Sequence, residues 1–184
     1  MTFDKSTVKF SAYEGWGQTA LKEYHYSQAV RVGDNIECSG QGEWLPSSVP
    51  PYPLPHSHSH PRVPSDRRHC LPAPSSASGK LTPSGGWDPQ PPNAISEDVE
   101  AQIEQAFKNV ELALKSAGGK GWSQVFRVRS YHLTLDDAAM DLMIANFRKW
   151  MPDHCPVWTC VEVTRLGIPG MKAEIEVVAH DPKN

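Results

Sequence analysis

Residues 43–85, EWLPSSVPPYPLPHSHSHPRVPSDRRHCLPAPSSASGKLTPSG, set the main limit on what this chain can fold into. Ten of the seventeen prolines of the 184-residue chain lie there, with many serines and few large aliphatic residues. Such a run cannot bury enough apolar surface to offset the entropy of ordering it. It reads as a disordered Pro/Ser/His-rich insertion. What folds is then residues 1–42 with 86–184, about 140 residues, enough for one domain with its own core.

Arg62, Arg67, Arg68 and Lys80 against Glu43 and Asp66 give the insertion a charge of +2, which leaves −5 on the remainder of a chain whose net charge is −3. An acidic domain has no electrostatic footprint for nucleic acid. The four cysteines, Cys38, Cys70, Cys155 and Cys160, form no CxxC pair, so free thiols in a reducing compartment are expected. No secretory signal opens the chain and no apolar run suits a membrane. Lys5 and Lys9 are balanced by Asp4 and Glu14, so a mitochondrial transit peptide is not indicated. The expected location is cytoplasmic, with a mitochondrial one left open. His56, His58 and His60 alternate, and in an extended segment all three could face a zinc or copper ion. A floppy Pro/Ser tract supplies neither fixed geometry nor supporting hydrogen bonds for such a site. No metal or cofactor is expected.

Periodicity places the elements. VKFSAY (8–13) alternates weakly, as an edge strand would. YSQAVRVGDNIECSGQ (26–41) reads as a hairpin turning at Gly33-Asp34-Asn35. In 95–119, Val99, Ile103, Phe107, Val110 and Leu114 recur at helical spacing, Ser96 offers a cap, and Gly118-Gly119 a stop. A strand follows at 125–134, then a helix begun by Asp136-Asp137 and halted by Pro152, then strands at 157–166 and 171–180. The fold class is α+β: a mixed sheet of about six strands with two helices on one face. A partner subunit is the simplest cover for the other face.

YSQAVRVGDNIECSGQ, the helix ending NVELALKSAGG, and CVEVTRLGIPGMKAEIEVVA resemble the Rid/YjgF family of reactive intermediate deaminases, also labelled L-PSP endoribonucleases. The motifs stand in the family's order and cover nearly all of the chain outside 43–85. The resemblance implies a chorismate-mutase-like (YjgF) fold, a homotrimer with ligand clefts between subunits, and hydrolysis of 2-imino or 2-enamino acids to 2-keto acids and ammonia. The expected ligand is a small imine, enamine or related metabolite, with no nucleic acid or membrane partner.

The resemblance also assigns site residues. Tyr26 matches the tyrosine of YSQA, and Ser39 and Gly40 match the SGQ turn that lines the cleft. Glu174 matches the acid that holds the attacking water. In family deaminases a P-x-R-[ST]-x-V motif carries an arginine that clamps the substrate carboxylate. Here the motif reads Pro156-Val157-Trp158-Thr159-Cys160-Val161, with Trp158 at the arginine position. Indole has one donor and no charge, so losing the clamp should cost ~2–5 kcal/mol of binding or transition-state stabilisation. Ile144 stands where an asparagine is frequent, three residues before Phe147, and again makes the cleft less polar. Thr159 and Cys160 keep backbone groups that can meet a ligand.

Each position has a plainer reading. Tyr26 caps a strand edge or meets a ligand. Ser39-Gly40 serve the turn or the cleft. Cys160 is an inert thiol or a cleft residue, and Trp158 is a core aromatic or stacks on a ligand. Glu174 holds water or pairs with a cation. Arg127, Arg129 and Arg165 are the candidate replacements for the clamp, Arg129 first. Three functions stay open: an imine or enamine hydrolase, a non-catalytic metabolite-binding or chaperone-like trimer, and a ribonuclease. The charge of −5 and the lack of a basic patch or a His pair in the domain argue against the last.

Family members commonly run SGQ-x-x-x-D-P without interruption. Joining Gln41-Gly42 to Gly86-Trp87-Asp88-Pro89 gives SGQGGWDPQ. Gly-Glu-Trp at the start of the tract is compatible with the codons GGTGAGTGG, which contain a splice donor. Leu81-Thr82 is compatible with a fungal-type branch sequence, and Ser84-Gly85 with a closing AG. The hypothesis is a translated intron. Transcript sequencing should find a spliced message lacking this block, and a mature message that always retains it would dismiss the idea.

Overall fold

A computed structural model describes residues 7–43 and 95–182. Within them the chain runs β1 (Val8–Ser11), α1 (Trp16–Glu23), β2 (Ala29–Val32), β3 (Asn35–Gln41), α2 (Val99–Ser116), a 3-10 turn (Trp122–Gln124), β4 (Val125–His132), α3 (Asp137–Trp150), β5 (Val157–Glu162) and β6 (Ala173–His180). The expected disorder of 43–85 lies outside the described residues except for Glu43, whose carboxylate accepts a 2.7 Å hydrogen bond from the Ser96 amide.

The strands form one sheet in the order β1-β2-β3-β6-β4-β5. Only β4 and β5 are parallel, and α3 lies between them in sequence. The hairpin turns at Gly33, with φ of +58°, and Asp34, while Asn35 already pairs with Val32. The outer strands are shorter than their alternation suggested, so Arg165 lies beyond β5 rather than on it.

α2 begins where Asp98 accepts from the Glu100 amide at 3.0 Å. Ser96 is not the cap. Its hydroxyl accepts from the Asp98 amide instead, at 3.1 Å. Past its end, the Gly118 amide donates to the Lys115 carbonyl, and φ of +81° at Gly118 turns the chain away. α3 is capped by Asp136, which accepts from the Ala139 amide at 2.9 Å.

One helix exceeds the two expected. α1 has only eight residues and a glycine within it, and it carries no side-chain cap. Its apolar contribution to the core is Trp16 and Ala20, too little to show a helical period.

The core lies between α2, α3 and one sheet face. Ile36 and Cys38 on β3, Ile175 and Val177 on β6, and Val128 on β4 meet Ile103, Phe107, Val110 and Leu114 there. Phe107 stacks on Trp122 with ring centroids 4.5 Å apart, and the Trp122 indole donates to the Phe107 carbonyl at 2.9 Å. The opposite sheet face keeps exposed apolar residues on its outer strands, Phe10 at 59% and Val157 at 65%. Among the described residues no helix is long and apolar enough to cross a membrane, and no group of three His, Cys, Asp or Glu could hold a metal ion.

Phe107 is fully buried. Phe107→Ala should destabilise by about 3–5 kcal/mol, read as a lower urea midpoint with an unchanged slope. A loss below about 1 kcal/mol would refute the central place given to this ring.

Candidate functional site

The register between β3 and β6 shifts between Cys38 and Gln41. The SGQ stretch is therefore an irregular strand, not the turn its glycine suggested. A bulge of this kind re-aims the residues that follow it. Cys38 and Gln41 are both buried, with half-buried Ser39 and Gly40 between them. Gln41 enters a polar cluster: the Tyr13 hydroxyl donates to its Oε1 at 3.1 Å, and its Nε2 donates to Gln28 Oε1 at 2.9 Å. The Ser39 hydroxyl donates to the Ser27 carbonyl at 2.7 Å, and the Ser39 amide to the Gln28 carbonyl at 3.0 Å. The SGQ and YSQA motifs are thus bound to each other.

Glu174 reaches this place from β6. A Cβ on Gly40 would lie 1.8 Å from Glu174 Oε1, so the carboxylate occupies the space that any larger residue would need. Burial, then the neighbouring Glu176, raises the Glu174 carboxyl above its ordinary value. Glu176 is neutralised differently: Arg129 Nη1 donates to it at 2.7 Å and the Tyr131 hydroxyl at 3.2 Å. Arg129 is committed there, and Glu174 has no ion pair among the described residues.

Tyr26 completes the group. Burial raises its phenol, hydrogen bonding with Gln28 and Trp16 opposes this, and the Glu174 charge adds to the rise. A cavity of about 780 Å³ opens here, walled by Phe10, Leu21, His25, Tyr26, Glu37 and Ser39 among others. His25 has φ of +58°, the only positive value outside glycine among the described residues. Histidine is one of the few residues that tolerate it. Phe10, Leu21, His25 and Glu37 were not anticipated. Their signal was faint because α1 and the chain after it lack a legible period.

Trp158, Thr159 and Cys160 stand apart on β5. Trp158 pairs with Val128 and so turns to the helix side. Its indole donates to Ser130 Oγ at 2.9 Å and meets Phe147 edge-on at 4.9 Å. Ser130 Oγ lies 3.0 Å from His132 Nε2, and burial lowers the His132 pKa. Cys160 shares this side, its sulfur 3.9 Å from Met140 Sδ. Thr159 pairs with Arg129 and takes the open face. Ile144 is half-buried on α3. Within one subunit, then, Tyr26, Ser39, Gly40 and Glu174 come together, and the β5 residues do not join them. Cys38 is a buried thiol whose pKa burial pushes up to about 12.

The family model described as Endoribonuclease L-PSP matches residues 77–181. The chain belongs to this family, the YjgF/Rid family. Solved structures agree in fold. Rv2704 of Mycobacterium tuberculosis, a YjgF/YER057c/UK114 family member, is 21% identical over 94% of this chain and 98% of its own, with a TM-score of 0.56. Yeast Mmf1 is 17% identical over 95% and 99%, with a TM-score of 0.59. The YjgF gene product of E. coli is 22% identical over 84% and 87%, with a TM-score of 0.51. No curated protein sequence matches. The family match begins after the hairpin, so the site pairs Glu174 from the matched part with Tyr26, Ser39 and Gly40 from before it.

The raised Glu174 carboxyl has a consequence for stability. Its folded form holds the proton more tightly than the unfolded chain, so stability from this group is present at low pH and falls as pH rises through the raised value. Glu174→Gln should therefore raise the urea midpoint at pH 8. The gain should vanish below the ordinary carboxylate value of 4.5. Urea titrations at fixed protein concentration measure this, and a gain that does not change with pH would contradict the environment described for Glu174.

Proposed function

We propose that this protein hydrolyses a small imine or enamine to a carbonyl compound and ammonia, in clefts formed between copies of a homotrimer. The supporting observation is that the Glu174 carboxylate fills the place a Cβ on Gly40 would take, next to Ser39, with Tyr26 near enough for its phenol to feel the Glu174 charge. Family membership adds to it. Glu174 holds a water molecule and takes its proton as the water oxygen attacks the imine carbon. Tyr26 offers its hydroxyl hydrogen to the nitrogen or the new oxygen. Ammonia then leaves as the carbonyl forms.

On this reading another copy closes the cleft, and of the three β5 candidates only Thr159, on the open face, is placed to take part. In sheet order β4 separates β5 from β6, so β5 lies about 10 Å from β6 at ordinary strand spacing. Trp158 and Cys160 also face away from Glu174. One chain cannot close the site around a small ligand, but two chains meeting at their sheet edges can. The exposed Phe10, Val157 and Val161 favour such a contact.

The engaged indole of Trp158 favours a second reading. With its one donor held by Ser130, the usual clamp position offers a ligand no polar contact. A cleft without that anchor could bind a metabolite and not turn it over.

Imines generated by amino-acid and amine oxidases should decay faster with the protein, and Glu174→Gln should lower the acceleration by at least about 100-fold. Sedimentation should give a trimer mass. Saturable ligand binding without product, unchanged in Glu174→Gln, would establish the binding reading instead. No acceleration with any imine would end the hydrolase reading.

A further inference from the structure

We infer, building on the hydrolase reading, that the cleft selects cationic iminium ions with an apolar substituent and no carboxylate, over 2-imino acids. The inference rests on which charges face the cavity and which are committed elsewhere.

Among the cavity's residues Glu37 carries a carboxylate, and Glu174 lies next door over Gly40. No lysine or arginine is among the described residues that wall the cavity, and His25 is its one basic side chain. Arg129, the first candidate anchor, is paired with Glu176 at 2.7 Å, and Arg127, two strands from Glu37 in register, does not wall the cavity. Trp158 has no charge, and its single donor serves Ser130. A substrate carboxylate would meet Glu37 in the wall and Glu174 beside it, with His25 the one basic side chain and no guanidinium or ammonium of this subunit to clamp it. A protonated imine meets the opposite situation, because a nearby carboxylate stabilises a positive charge most where water is partly excluded. Phe10, Leu21, Ala29 and Val30 give the cavity an apolar wall suited to a hydrocarbon substituent.

The chemistry balances. An iminium R₂C=NH₂⁺ takes water at carbon, with Glu174 receiving a water proton as the C–O bond forms and the C=N π pair moves to nitrogen. That proton passes to nitrogen, the C–N bond breaks with its pair leaving on ammonia, and the hydroxyl proton is released as C=O forms. The sum is R₂C=NH₂⁺ + H₂O → R₂C=O + NH₄⁺, with no oxidant or reductant.

An amidinium is planar, carries one positive charge and resists hydrolysis on the assay timescale, so it reports the charge preference without turnover. In calorimetry on the full chain, butyramidine should bind at least ten-fold more tightly than 2-oxobutyrate. Glu37→Gln should weaken butyramidine several-fold and leave 2-oxobutyrate unchanged or tighter, and Glu37 is exposed, so the fold should tolerate the change. Turnover supplies the second arm: imines from an amine oxidase should be accelerated more than those from an amino-acid oxidase. If 2-imino acids are accelerated and amine-derived imines are not, the inference falls and the hydrolase reading stands. Tight 2-oxobutyrate binding, or no butyramidine binding, also overturns it. Butyramidine selectivity without turnover of any imine upholds the charge preference and removes the hydrolase reading.

Discussion

The sheet depends on the position of its last strand. β6 is the last strand among the described residues yet lies between β3 and β4, and among those residues no other strand bridges the N-terminal hairpin to the C-terminal half. Its alternation serves both sides: Ile175 and Val177 enter the core, while Glu174 and Glu176 take the other face. Residues just past β6 are fastened by Arg31 of β2. Its Nε donates to the Ala117 carbonyl at the end of α2, at 3.3 Å, and its Nη1 to the Asp181 carbonyl, at 3.1 Å. The Asp181 carboxylate pairs with Arg31 and accepts from Gln124 at 2.5 Å. Those contacts, Gln124 first, hold its carboxyl below the usual range. A buried guanidinium needs such a set of acceptors, because an unpaired one is costly. Glu174 is thus carried by a strand paired on both sides, with the residue just past its end held by Arg31.

The strands, the two long helices and the family were legible because each had a period or a fixed motif. Phe107, Val110 and Leu114 could only make one helix face. Ser39, Gly40 and Glu174 were legible as site candidates by motif, but their meeting was not. That depends on a register shift, which one strand's alternation does not reveal. α1 was missed for want of apolar residues, and the cavity walls at Leu21 and His25 were missed with it. Arg31 was also hidden: an arginine in a strand normally reads as solvated, and its acceptors come from residues 86 and 150 positions away.

Trp158 shows how residue type sets a side chain's allegiance. An arginine at this place would turn its charge toward water or a ligand. An indole prefers apolar contact, and Phe147 supplies it edge-on. Its N–H must still be satisfied, and Ser130, buried on β4, accepts it. His132 then lies against the same hydroxyl, with burial favouring its neutral form. These three side chains form one polar chain inside the core, so residue 158 is tied to β4 rather than to the cavity.

That arrangement also bears on Glu174. Its carboxyl is raised by burial even in a single subunit, and a second copy closing over it would remove more water. A carboxylate losing solvent without a partner is disfavoured, and protonation would follow. A neutral acid makes a poor base. In the proposed reaction a cation entering the cleft would reverse this, because it would favour the charged form of Glu174 when the water must be deprotonated. A carboxylate substrate would do the opposite. On the proposed reading, with an indole rather than a cation at residue 158, the charge of the substrate would set both how well it binds and whether Glu174 is in working form.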